Sequence, residues 1–212
     1  MIKEVFEITN GFHTSSGKLS ISSINGCRRK KYLELKGLHK ETYDAKSMRA
    51  FALGDLFHQQ AAKEILEKGE KVGLHLVSGE VDIPEQKYFS GRADQILSIS
   101  ATGELIIVDI KSAGDWTLDK AKKGEVDSSY INQIQLYLHF FKLQRGFIVF
   151  FGKHKGEVHE VEVKYDKELC ERLIAEVEDF FINYVEKDIE PPLCDGGSWG
   201  CSVCGKKGKG FD

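Results

Sequence analysis

The sequence predicts an α/β fold, a central mixed β-sheet flanked by helices. Helical and strand-like periodicities alternate in the order helix, strands, helix, strands, helix, the pattern of a sheet covered on its faces. Strand-like runs dominate from about residue 71 to residue 113, and the run Glu104-Leu-Ile-Ile-Val-Asp-Ile-Lys111 is very apolar. A composition of 41% apolar and 30% charged residues over 212 positions suits one full-sized core, so residues 1–212 are expected to form a single domain.

Serines at 20, 22 and 23 are fit to cap a first helix over about 20–36, with Ile24, Cys27 and Lys31 at helical spacing and Gly37 as its stop. A second helix is expected over 47–68. Leu53, Phe57, Ala61 and Ile65 line one of its faces, and Gly54 and His58 stand four apart on a neighbouring one. Strands follow: a stretch ending near Gln86, a run over 92–99, a turn at Ala101-Thr-Gly103, and the run 104–111. A helix over about 129–144, strands over 147–152 and 158–164, and a helix over 167–186 lead to the break at Pro191-Pro192.

Several function classes are excluded or made remote. The 30 basic and 33 acidic residues leave a formal charge of -3, which is not that of a cationic nucleic-acid coat. No apolar run approaches the roughly 20 residues needed to cross a bilayer, so no membrane association is expected. The start Met1-Ile-Lys-Glu-Val-Phe-Glu lacks the basic and apolar regions of a signal peptide, which points to the cytoplasm. No G-x-x-x-x-G-K-[ST] stretch occurs, so ATP-driven unwinding would need another protein.

The chemistry concentrates on the hairpin of the two middle strands. If 92–99 pairs antiparallel with 104–111 across an even-length turn, Ile99 meets Glu104 and Asp94 meets Asp109 on one sheet face. Lys111, two residues on, points to that same face because side chains repeat with period two. Two carboxylates a few ångströms apart repel unless a cation lies between them, and oxygen ligands suit Mg2+ or Mn2+. A lysine beside such an ion can orient or deprotonate a water and neutralise a phosphodiester under attack. Alone, Asp-x-Lys at a strand end reads more readily as a surface ion pair.

Five cysteines suggest a metal or redox site more than a disulfide framework. Cys194, Cys201 and Cys204 lie in a glycine-rich stretch able to wrap one ion or cluster, and Cys27, beside Arg28-Arg29-Lys30-Lys31, is the natural fourth ligand. Cys170 falls in an amphipathic pattern and reads as a core thiol.

The series Gly54-x3-His58, Gly91-x2-Asp94, Asp109-Ile110-Lys111 and Gln133-Ile134-Gln135-Leu136-Tyr137, with its split cysteines, resembles the PD-(D/E)XK nucleases of the RecB type. It looks most like the RecB-like exonucleases associated with CRISPR systems and their viral relatives, and the resemblance covers nearly the whole chain. It implies a restriction-endonuclease-like core and a metal-dependent DNA exonuclease. His58, Asp94, Asp109 and the Ile110 carbonyl would hold Mg2+ or Mn2+, Lys111 would activate water, and Gln133 and Tyr137 would face the active site or the DNA backbone. Cys27, Cys194, Cys201 and Cys204 would ligate a [4Fe-4S] cluster, formed by an element over about 20–36 and 191–212 that joins the two ends of the chain. Arg28, Arg29, Lys30 and Arg92 become candidate DNA contacts.

DNA, as single strand or duplex end, is the implied partner, alongside recombination, CRISPR-adaptation or replication proteins. Arg28 stands where members of the family carry proline, and the longer gap comes first among the last three cysteines. Four thiolates suit tetrahedral zinc as well. Two other readings remain open: an endonuclease of the same fold serving restriction, repair or end-trimming, and a non-catalytic zinc-braced nucleic-acid-binding module.

Overall fold

Seven strands and five α-helices alternate along the chain in a computed structural model that describes residues 17–40, 43–194, 201 and 203–204. The strands are β1 (Leu19–Ser20), β2 (Leu74–Asp82), β3 (Phe89–Ser90), β4 (Arg92–Ile99), β5 (Leu105–Ala113), β6 (Arg145–Gly152) and β7 (Val158–Lys164). The helices are α1 (Arg28–Leu35), α2 (Ala45–Lys68), α3 (Asp115–Lys122), α4 (Ser128–Phe141) and α5 (Lys167–Phe180).

Five of the strands form one mixed sheet in the order β2-β4-β5-β6-β7. Only β5 and β6 run parallel, because α3 and α4 intervene and carry the chain back across the sheet. The expected mixed sheet with helices on its faces is therefore the fold adopted.

Side chains of alternate residues divide the core into two layers. Ile106, Val108 and Ile110 of β5 pack with Leu97 and with Ala61 of α2 on one face. Ile107 faces the other way, toward Ile134 and Leu138 of α4, Leu173 and Val177 of α5, and Ile148 and Phe150 of β6. Helix α4 sits close on the sheet at Gly146, where a Cβ would lie 2.9 Å from Ile134 Cδ1 and 3.1 Å from the Ile107 carbonyl oxygen.

Aspartates start three helices. Asp44, Asp127 and Asp166 accept the backbone N–H groups of Ser47, Ser129 and Leu169, which the first turn leaves without helical partners. Lys142, in the left-handed region at φ 57°, ends α4 at Phe141, short of the expected residue 144. The last helix widens to a π turn over Phe181–Val185.

The largest departure from expectation lies at 20–36. The segment is a 3-10 turn, Ile21–Ser23, followed by a bend and then α1 from Arg28. Cys27 is the N-cap of α1, with extended backbone, and its Sγ accepts the Lys30 N–H. A helical spacing of Ile24, Cys27 and Lys31 thus does not reflect one continuous helix. Leu53, expected on the buried face of the second helix, is 52% exposed, whereas Ala61 on the same row is buried. Helix α3 and the two-residue parallel ribbon of β1 with β3 carry too few residues to show a period.

Candidate active site and cysteine centre

Strands β4 and β5 pair as Gln95 with Val108, Ile96 with Ile107, Leu97 with Ile106 and Ser98 with Leu105. The Ile99 N–H donates to the Glu104 carbonyl at 2.9 Å, so the turn has the register derived from its even length. One step past Gln95–Val108 this register sets Asp94 against Asp109. The ladder opens there: the Ile110 N–H donates to Asp94 Oδ2 at 2.7 Å, a side chain standing in for a backbone acceptor.

Lys111 Nζ lies 2.8 Å from Asp109 Oδ2 and donates to Gln133 Oε1 of α4 at 3.1 Å. The Gln133 amide reaches the Tyr137 hydroxyl at 3.5 Å, and Tyr137 donates to the Arg92 carbonyl at 2.8 Å. His58 of α2 brings Nδ1 to 3.4 Å from Asp94 Oδ1. The structure thus brings His58, Asp94, Asp109, Lys111, Gln133 and Tyr137 into one connected network. Tyr137 is buried, only 2% exposed. Ile110 buries its side chain in the opposite layer and meets the network through its backbone N–H.

Electrostatics identify what this network lacks. Asp109 is 1% exposed, and desolvation, its largest influence, pushes its carboxyl up to about 6, helped by Asp94 and opposed by Lys111. Although Lys111 is close enough to pair, neither Asp109 oxygen receives a well-directed hydrogen bond. A buried carboxylate short of donors is strongly disfavoured, and a divalent cation is the ligand that corrects it. Two carboxylates and an imidazole are donors of the kind Mg2+ or Mn2+ takes, although the ligand atoms of His58, Asp94 and Asp109 do not all lie within 4.8 Å of one another. Hydrogen bonding to Asp94 raises the pKa of His58 against the opposing effect of burial, so metal and proton would compete for this ring. Burial lifts Tyr137 to about 12, keeping it a neutral donor.

One participant escapes the sequence reading. Lys111 Nζ lies 5.3 Å from the centre of the Tyr130 ring, a cation–π contact. Tyr130, Gln133 and Tyr137 are spaced three and four apart on α4, which is the signal that would have found it.

The candidate DNA contacts are already paired. Arg28 approaches Glu176 at 3.5 Å, Arg29 approaches Glu190 at 2.6 Å, and Arg92 approaches Glu80 at 3.0 Å. Such surface pairs are weak, so a phosphate can displace the acid at small cost. Lys30 contributes its backbone N–H to Cys27 Sγ.

The four sulfurs of Cys27, Cys194, Cys201 and Cys204 lie within 4.8 Å of one another, a set able to hold a metal. Among the described residues no other group of three or more His, Cys, Asp or Glu side chains meets that spacing. Cys27 and Cys204 approach to 3.7 Å although 177 positions apart in sequence. The Cys194 N–H donates to Cys204 Sγ and the Cys204 N–H to Cys201 Sγ, both at 3.4 Å. Burial drives the Cys27 thiol to about 12, whereas hydrogen bonds from Cys204 and Val203 and the neighbouring thiols outweigh desolvation and lower Cys201 to about 7. Cys170 is fully buried, and its thiol donates to the Gln135 carbonyl at 3.2 Å, as a core residue would. Of the expected 191–212 element, 195–200, 202 and 205–212, with Trp199 and the lysines of the tail, lie outside the described residues.

No family model and no curated protein sequence matches the chain. Solved structures do. An alkaline exonuclease from Laribacter hongkongensis aligns with a TM-score of 0.62 at 18% identity, over 82% of this chain and 90% of that one. The same enzyme in complex with dAMP aligns with a TM-score of 0.61 at 20% identity, over 82% and 90%. The structure of SSO0001 aligns at 0.50 and 18% identity, over 86% and 82%. What the chain shares with them is the fold, a central mixed sheet flanked by helices, as the sequence predicts.

Proposed function

We propose that this chain is a metal-dependent deoxyribonuclease that hydrolyses phosphodiester bonds from strand ends, acting as one nuclease domain over 1–212. The observation that carries the reading is the convergence of Asp94, Asp109 and Lys111 about a buried carboxylate short of hydrogen bonds. The fold is shared with an alkaline exonuclease, one form of which binds dAMP, a product-like nucleotide.

Asp94, Asp109, His58 and the Ile110 carbonyl would hold Mg2+ or Mn2+, which supplies charge neutralisation for the phosphodiester and acidifies a water. Lys111 holds its ammonium between Asp109 and Gln133, where it can orient the attacking water and neutralise the phosphate. Gln133 orients that ammonium, and Tyr137 anchors Gln133 to β4 through the Arg92 carbonyl. Arg28, Arg29, Lys30 and Arg92 meet the DNA backbone by exchanging their acidic partners for phosphate. The cysteine centre braces the fold and takes no part in the reaction. Proteins of recombination, CRISPR adaptation or replication are the partners this activity suits, in the cytoplasm.

Purified protein is incubated with linear and with covalently closed circular DNA in Mg2+ or Mn2+. An exonuclease degrades the linear form and leaves closed circles intact; nicking of circles points instead to the endonuclease reading. Lys111→Ala is expected to bind DNA and lose cleavage by about a thousandfold. Undiminished turnover by that variant overturns the assignment, and binding without any cleavage by the unaltered protein supports the non-catalytic module.

A further inference from the structure

We infer that the four-cysteine centre is a mononuclear tetrahedral zinc site and not an iron–sulfur cubane. The two groups demand different sulfur geometries. Four thiolates about 2.3 Å from one ion stand about 3.8 Å apart, at the corners of a tetrahedron. In a cubane each thiolate binds its own iron and lies outside the cube, so metal–metal and metal–sulfur bonds together hold each pair of sulfurs apart. Cys27 and Cys204 are 3.7 Å apart, and no pair among the four exceeds 4.8 Å. This quartet has the spacing to hold one ion and is too tight to clasp four.

The surroundings agree. Three backbone N–H groups aim at these sulfurs, from Lys30 to Cys27, from Cys194 to Cys204 and from Cys204 to Cys201, each at 3.4 Å. Such bonds spread the negative charge that four thiolates place on one ion, as a closed structural site needs. Cys201 and Cys204 form a short loop in which the second N–H turns back onto the first sulfur, so one ion can take both side chains from adjacent turns of backbone. All four positions of the tetrahedron are filled by protein, which leaves no open position for water or substrate. Soft thiolate ligands in a tetrahedral arrangement suit zinc. The centre thus ties the N-cap of α1 to the segment after Pro192 as a redox-inert clasp.

The test uses the full chain purified without oxygen from cells supplied with iron, so that a cluster, if present, is assembled and kept. Metal analysis is expected to find about one zinc per chain, no acid-labile sulfide and a colourless solution. Exchange with Co2+ is then expected to give the intense visible bands of tetrahedral cobalt thiolate, one ion per chain. Iron and sulfide at about four each per chain, with brown colour, would overturn the inference. So would one iron without sulfide, a metal-free protein, or an octahedral cobalt spectrum. None of these readouts involves DNA, so the outcome is independent of the nuclease proposal.

Discussion

The carboxylate site and the cysteine centre solve the problem of gathering charged groups in opposite ways. Asp94, Asp109 and Lys111 lie within 18 positions, 94 to 111, on two paired strands, and backbone register brings them together before any ligand arrives. The thiols come from Cys27 and from Cys194, Cys201 and Cys204, and closing so long a stretch of chain costs entropy that a ligand could offset. The first site is thus preorganised by the sheet and leaves Asp109 short of hydrogen bonds; the second gathers four thiols that could hold a metal. Metal at the first should serve chemistry, and metal at the second stability.

The sharpest way to break this distinction is Asp109→Asn, which keeps the shape and removes the charge. Cleavage is expected to fall by about a thousandfold while the melting temperature without added metal stays level or rises, because the replaced group is a poorly satisfied carboxylate. Equal loss of fold and activity, read by calorimetry and a DNA degradation assay, would merge the two sites into one structural role. Next in size, Cys204→Ser is expected to lower the melting temperature by about 5–10 °C, and to leave initial cleavage rates at low temperature within about threefold. A collapse of rate without thermal change would place the thiolates in the reaction.

The smallest effect sharpens the comparison through pH. The folded-state pKa of Asp109, about 6, lies above its ordinary value of 3.8, so its contribution to stability is full below about pH 4 and is lost as pH rises through 6. A bound divalent cation reverses the preference by favouring the charged carboxylate. Stabilisation by Mg2+ is therefore expected to be greater at pH 8 than at pH 5, by about 2–4 °C in melting temperature. An identical shift at both values would mean that the ion binds away from Asp109.

Much of this arrangement was legible in the sequence because it is local. The turn between Ile99 and Glu104 fixes a parity, and parity alone sets which of Asp94, Gln95, Asp109 and Lys111 share a face. Cys27 as the fourth thiol was readable from its isolation and its basic neighbours. The bend ahead of α1 was hidden because Ile24, Cys27 and Lys31 mimic a helical stripe, whereas the backbone bends at Asn25 and Gly26 and Cys27 is extended. The acids that neutralise Arg28 and Arg29 lie at Glu176 and Glu190, too distant for a pattern along the chain to expose. Tyr130 escaped because an aromatic ring on an amphipathic helix is ordinarily packing, and only the position of Lys111 gives it another partner.

The bare Cα of Gly146 sets how closely α4 can lie on the sheet. Ile134, which occupies the space its missing methyl leaves, is the immediate neighbour of Gln133 on α4. One added carbon would act as a wedge under the helix, lifting the amide that steers the Lys111 ammonium while touching neither. The mutual placement of Gln133 and Lys111 is therefore written partly in an atom the protein does not possess.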